Sequence, residues 1–178
     1  TLNHKFIKNH KLHVLYYNFQ KNGTTKTTRN IVDRILCLYE ENVFKYTDNI
    51  FLILNEPFKD TIKVLNNELN LKLMQNIDKL ENNIGYENKH FGNVFMFDIK
   101  QLQYNILNHD LVPKHDIIRK EEDINNILEN CNCSIDQLPV ISKNDPVSKI
   151  KMGVAGDIFK ITRISKSAGE YPYFRVCR

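Results

Sequence analysis

The sequence predicts two units of unequal size: an α/β domain over residues 1–103, and a smaller α+β domain over residues 104–178 that closes in a β-hairpin. Three observations carry this. Before Asn105, short apolar runs alternate with helical stripes, the β-α-β-α-β order of a largely parallel sheet. Beyond Asn105 the elements shorten and are punctuated by Pro and Gly. The chain ends in two strand-like runs joined by a turn that contains Ala168-Gly169.

In the larger unit, residues 13–19 (HVLYYNF) are rich in aromatic and β-favouring side chains and run toward a turn at Gly23, so they read as a strand. Residues 25–41 carry Ile31, Ile35, Leu38 and Tyr39 at helical spacing. The continuous run IFLIL at 50–54 has the pattern of a strand covered on both faces, and Glu56-Pro57 ends it. A second helix places Phe58, Ile62, Leu65, Leu69, Leu73 and Ile77 on one stripe. Asn66, Asn67 and Asn70 weaken that stripe, and a break is expected there. VFMF at 94–97 reads as a further buried strand, with Asp98 placed to cap a short helical turn.

In the smaller unit, Leu111-Val112-Pro113 is extended into a proline. Residues 119–130 read as a helix, with Glu121, Glu122 and Asp123 in the first turn favoured by the positive helix end. Ser134 and Gln137 have capping-box spacing, and Pro139 limits them to a single turn. Asp145-Pro146 predicts a helix over 146–152. The carboxylate accepts free amide hydrogens, the proline fills the first helical position, and Gly153 supplies a left-handed exit. In the strand 157–164, Phe159 and Ile161 share a face with Lys160 and Thr162 opposite; in the strand 171–177, Phe174 and Val176 share a face. The Phe159 and Ile161 face is expected to pair with that of Phe174 and Val176, and Pro172 to lie at an edge.

Composition narrows the class. No apolar run approaches the ~18 residues that cross a bilayer, and the opening lacks a secretory apolar stretch, so an intracellular protein without a membrane partner is expected. The chain opens on Thr1, as if inside a longer product or after a disordered leader. Cys37, Cys131, Cys133 and Cys177 are too irregular for a disulfide framework and are expected to be reduced. The net charge of +4 is a mild basic bias that does not specify nucleic acid. Asn, Ile and Lys are abundant, as in an AT-rich genome, and the asparagines read as solvated filler.

No catalytic or cofactor motif is present. The sequence holds no Walker-type loop, G-x-G-x-x-G, G-x-S-x-G or H-E-x-x-H, so no cofactor and no catalytic residue is expected. Cys131-Asn132-Cys133 with His109 and His115 has the wrong spacing for zinc and reads as inert thiols. His4, His10 and His13, interleaved with Lys5, Lys8 and Lys11, read as a frayed polar terminus and not as a ligand set. Glu87-Asn88-Lys89 could be half of a magnesium nuclease site, but it sits in a polar loop with no partnering aspartate.

The segment His109-Asp110-Leu111-Val112-Pro113-Lys114-His115 opens a series of matching blocks. They continue through Lys120-Glu121-Glu122, Gln137-Leu138-Pro139, Asp145-Pro146-Val147, Gly156-Asp157, Lys160-Ile161-Thr162-Arg163 and Ser167-Ala168-Gly169-Glu170-Tyr171 to Arg175. In this order and spacing they resemble the C-terminal assembly domain of the fifth subunit of DNA-directed RNA polymerase, a family with eukaryotic and archaeal members. Most of these blocks hold Pro, Gly or Asp where turns and caps need them, so their role is structural. The resemblance implies an assembly domain at 104–178 docking on the largest polymerase subunit and other subunits. Its expected contacts are Asp145, Pro146, Val147, Lys160, Arg163, Ala168, Gly169, Tyr171 and Arg175.

Eukaryotic members of that family carry an N-terminal jaw domain that resembles nuclease folds without their catalytic residues, and the β-α-β-α-β order of 1–103 is similar. Their Thr-Pro-Ser-Ala loop near downstream duplex DNA corresponds here to Glu56-Pro57-Phe58-Lys59, a departure from the family. Lys59 and Lys63 lie at that place and are the candidate DNA contacts. The divergent jaw and AT-rich composition look like the subunit of a large DNA virus, which implies virion and host cytoplasm; a cellular eukaryote would imply the nucleus. The resemblance thus implies a non-catalytic subunit, with phosphodiester chemistry left to the two large subunits. A free-standing nucleic-acid-binding module and a metal-dependent nuclease are the alternatives.

Overall fold

The computed structural model describes residues 2–3, 11–19, 26–80, 92–167 and 169–178. Two compact units divide the chain, Thr1–Gln103 and Tyr104–Arg178. Among the described residues no helix is long and apolar enough to cross a membrane.

The first unit contains β1 (Leu2–Asn3), β2 (Lys11–Tyr17), α1 (Asn30–Glu40), β3 (Asn49–Leu54), α2 (Asp60–Leu80) and β4 (Val94–Asp98). Its sheet runs β1-β2-β3-β4; β2, β3 and β4 are parallel, and β1 is antiparallel at the edge. Successive side chains on a strand point to opposite faces, so Ile50, Leu52 and Leu54 share a face with Val94 and Met96 across the β3–β4 register. The same cluster takes Ile31, Val32, Ile35 and Tyr39 from α1, and Ile62, Leu65, Leu69 and Leu73 from α2. Both helices therefore cover one face, as expected when parallel strands step across a sheet in chain order through crossovers of one hand. Burying Leu69 and Leu73, both fully shielded from solvent, stabilises the fold by about 1.5–3 kcal/mol each. On the other face Phe51 packs against Phe95 and Phe97, with ring centroids 5.8 and 4.9 Å apart.

Four sequence expectations are corrected by the structure of this unit. Helix α2 runs unbroken through Asn66, Asn67 and Asn70. Far from being filler, Asn70 accepts from Val94 N–H at 2.8 Å and donates to Val94 C=O at 2.9 Å. One side-chain amide thus satisfies both backbone groups of a fully buried edge residue. His13 belongs to β2 and not to a frayed terminus: its Nε2 lies 3.1 Å from Oδ2 of the buried Asp48, which also accepts from Lys11 N–H. His4 and His10 lie outside the described residues, as do Gly23, Thr25 and Glu87-Asn88-Lys89. Helix α1 starts at Asn30, later than the periodicity implied.

The second unit contains β5 (Lys114–Ile118), α3 (Glu121–Cys131), β6 (Val140–Ile141), α4 (Pro146–Ile150), β7 (Ile158–Ser165) and β8 (Gly169–Cys177). The sheet order is β5-β7-β8-β6, antiparallel except for the β6–β8 pair. Helix α3 ends on Asn132, whose left-handed φ of 47° asparagine tolerates better than most residues. The polar alternation of β5 and the brevity of β6 hid both strands from sequence reading.

The expected pairing of faces is wrong. Phe159 stands opposite Arg175 and Ile161 opposite Tyr173, whereas Val176 and Phe174 oppose Ile158 and Lys160. The sheet consequently buries a cluster on each side. Phe159, Ile161, Ile141 and Cys177 form one, and Ile158, Val176 and Leu138, with Ile124 and Leu128 of α3, form the other.

The Asn70 bridge has a measurable consequence. Asn70→Ala leaves the buried Val94 N–H and C=O without partners and should cost about 2 kcal/mol or more, read as a lower urea midpoint of the full chain. Asn66→Ala, which removes an amide without those two contacts, should cost less than half as much.

Candidate assembly surface

Helix α4 is fixed by its first residues. Asp145 Oδ1 accepts from Val147 N–H at 2.9 Å and Ser148 N–H at 3.4 Å, while Pro146 starts the helix. These bonds satisfy two of the amides that a helix start leaves open. The helix is two residues shorter than its cap logic implied, with Lys151 as its C-cap, and the left-handed residue is Met152 (φ 55°), not Gly153. Gly153 is needed for space. A Cβ there would stand 2.6 Å from Phe159 Cζ and 2.6 Å from Ser148 Oγ. This close approach seats α4 on the Phe159 side of the sheet, where Ser148 Oγ also lies 3.6 Å from Cys177 Sγ. Burial pushes the Cys177 thiol above its ordinary value.

The loop between α4 and β7 is held by Asp157, which is 1% exposed. It accepts from Val154 N–H at 3.0 Å and from Arg119 Nη2 at 3.2 Å, and Arg119 Nη2 also donates to Met152 C=O at 2.9 Å. Sequence reading placed Asp157 within a matching block but did not find Arg119. Only the β5–β7 pairing brings them together.

The strands β7 and β8 carry the remaining candidates. Register puts Arg163 opposite Tyr171, with Tyr173 and Arg175 on the same face, while Lys160 points to the other face. Both guanidinium groups lie over the Tyr173 ring, their carbons 4.9 Å (Arg163) and 5.3 Å (Arg175) from its centroid. Arg175 is further fixed by its Nη1–H donated to Val140 C=O at 3.2 Å. Tyr171 is 58% exposed. Gly169 has φ 66° with open space around its missing Cβ, so backbone conformation and not packing selects glycine. Ala168 lies outside the described residues.

The structure therefore brings together Arg163, Tyr171 and Arg175 and adds Tyr173, which sequence reading missed although the alternation Tyr171, Tyr173, Arg175 was visible. It separates Lys160 from them. Val147 is buried and offers no surface in the free chain.

In the first unit, Lys59 is exposed in the segment before α2, and Lys63 Nζ lies 2.8 Å from Asp60 Oδ1. That hydrogen bond, with the lysine charge, holds the Asp60 carboxyl below its usual range. Among the described residues no three His, Cys, Asp or Glu side chains are grouped to hold a metal ion; His115 Nδ1 lies 2.6 Å from Pro113 C=O, and His109 Nδ1 accepts from Leu111 N–H.

A capped helix and a strand pair that hold arginine and tyrosine side chains on one sheet face make this unit a small α+β module. Comparisons identify its kind. Residues 104–177 match the family model described as RNA polymerase Rpb5, C-terminal domain. The chain is 42% identical over 74 residues to "DNA-directed RNA polymerase subunit Rpo5" of Methanosarcina barkeri, covering 42% of this chain and 94% of the relative. It is 43% identical over 77 residues to the subunit of the same name in Methanosphaera stadtmanae, covering 43% and 99%. With "DNA-directed RNA polymerases I, II, and III subunit rpabc1" of Dictyostelium discoideum it shares 40% identity over 81 residues, 46% of this chain and 41% of that protein. The chain belongs to the family of the fifth subunit of DNA-directed RNA polymerase, Rpb5 in the eukaryotic naming and Rpo5 in the archaeal.

Two substitutions separate the two glycine roles. Gly153→Ala should destabilise the chain by about 1–3 kcal/mol through the clash with Phe159 and Ser148. Gly169→Val should cost about 1–2 kcal/mol through backbone strain alone. Gly169→Asn should recover most of that loss, because asparagine tolerates the left-handed region, whereas Gly153→Asn should recover nothing; thermal unfolding of the four variants is the check.

Proposed function

We propose that the C-terminal unit docks this chain on the largest subunit of DNA-directed RNA polymerase, and that the N-terminal unit forms part of the jaw around downstream duplex DNA. The chain is a non-catalytic subunit of that polymerase and serves DNA-templated transcription. One observation carries the docking assignment: the family similarity covers residues 104–177, and 74 and 77 residues of this chain match the archaeal relatives over 94% and 99% of their own length. A polypeptide of that size bearing the polymerase-subunit name is consistent with the assembly function residing there. The N-terminal unit supports the jaw reading through its parallel β2-β3-β4 sheet with both helices on one face, and through exposed Lys59 at the start of α2. A source in a large DNA virus, with action in virion and host cytoplasm, belongs to the same proposal.

Two experiments test this. A chain lacking residues 1–103 should still join polymerase on co-expression with the other subunits, since a unit with its own buried clusters folds alone. Loss of joining would move the docking function to the N-terminal unit. In the assembled enzyme, Lys59→Ala should lower the salt slope of downstream DNA binding by about 1. Lys63→Ala should lower it by less, because Asp60 already counters that charge; an unchanged slope in both would remove the DNA contact.

A further inference from the structure

The two faces of the β5-β7-β8 sheet differ in how their charges are met. On the face of α3, Lys114 and Asp116 form an ion pair at 3.2 Å, and Glu170 shares that face with Lys160. On the face of α4, the strand positions carry Arg163 and Arg175, and among the described residues neither pairs with a carboxylate. Both guanidinium groups are nonetheless held in place, by the Tyr173 ring and, for Arg175, by Val140 C=O. Holding an arginine still over an aromatic ring removes side-chain freedom in advance of any contact, and its planar fork then matches a carboxylate with little further ordering. Beside them Arg163, Tyr171 and Tyr173 line an open depression of about 510 Å³.

Resting on the assembly reading above, we infer that this face receives a carboxylate-bearing segment of another polymerase subunit, its Asp or Glu seated between Arg163 and Arg175 and its apolar neighbours against Tyr171. Charge complementarity selects an acidic occupant. The size and make-up of the patch select polypeptide over nucleic acid. A phosphate backbone is tracked by a stripe of several basic groups. Here two fixed arginines stand among exposed tyrosine surface, the residue types that dominate the energetics of protein–protein contacts.

The test uses the full chain co-expressed with the other polymerase subunits. Tyr171→p-benzoylphenylalanine, irradiated in the purified complex, should cross-link to a peptide containing Asp or Glu, identified by mass spectrometry. Arg163→Glu should lower recovery of the complex by about tenfold or more, and Arg163→Gln by a smaller factor; Arg163→Lys should keep part of the wild-type level, since it retains charge but loses the fork. Glu129→Lys, on the exposed surface of α3 over the opposite face of the sheet, should leave recovery unchanged. Arg163 is exposed, and unchanged circular dichroism of each variant separates lost docking from lost folding. Wild-type recovery by Arg163→Glu, or cross-links confined to DNA or to segments without carboxylates, would overturn the inference while leaving the assembly reading intact. Failure of the wild-type chain itself to join the complex would overturn both.

Discussion

Between β7 and β8, Ile158 faces Val176 and Phe159 faces Arg175, and every burial in the C-terminal unit follows from that alignment. Side chains alternate between faces with a period of two, so a one-residue slip would carry Phe159 out from under α4 and drive Lys160 into its place. The slip is opposed from both sides at once. Gly153 lets α4 close on Phe159, while α3 closes on Ile158 through Ile124 and Leu128. The Asp157 carboxylate then fixes where β7 begins, since its bonds to Val154 N–H and Arg119 leave the loop after α4 little choice of path. Removing Arg119 would take the cationic partner from an almost fully buried carboxylate, a larger loss than an exposed ion pair such as Lys114 with Asp116 can give.

Polar groups have a similar role in the N-terminal unit. Its apolar cluster, shared by two helices and three strands, is non-directional and would tolerate some sliding of α2 along the sheet. The Asn70 amide, bonded to both backbone groups of Val94, does not tolerate it. Asp48 does the same between β2 and β3. It meets His13 and Lys11 on β2, and its own carbonyl accepts from the buried Tyr39 hydroxyl at 3.3 Å. Burial pushes that phenol well above its ordinary range, so it stays a neutral donor. Hydrophobic burial gives these elements a reason to collapse, and a few buried polar bonds decide how they align.

For a docking subunit this division has a functional meaning. Several residues of the matching blocks are spent inside the unit: Asp145 as a cap, Val147 in the core, Asp157 as a loop anchor. They hold β7 and β8 rigid. Among the block residues left at the surface is Arg163, whose guanidinium is held over the Tyr173 ring of that strand pair. An interface presented by a rigid strand pair loses less freedom on binding than one presented by loops.

Much of the local structure was legible in the residues themselves. Asp145-Pro146 announced a helix start, VFMF and IFLIL announced buried strands, and Gly169 announced a turn between the last two strands, because each depends on backbone preferences or burial within a few positions. The helix periodicity placed α1, α2 and α3 to within a few residues at most described ends. Tertiary structure alone decided the rest, for a physical reason that recurs. Asn70 reads as a weak helix residue until Val94, 24 positions away, needs both its donor and its acceptor. Lys114–Ile118 reads as loop until β7 supplies its ladder partners, and Met152, not the glycine beside it, takes the left-handed exit because Gly153 is needed for its missing Cβ. Which aromatic face opposes which, and hence that Arg163 meets Arg175 over Tyr173, was fixed by cross-strand register, a property of two segments together that neither segment encodes by itself.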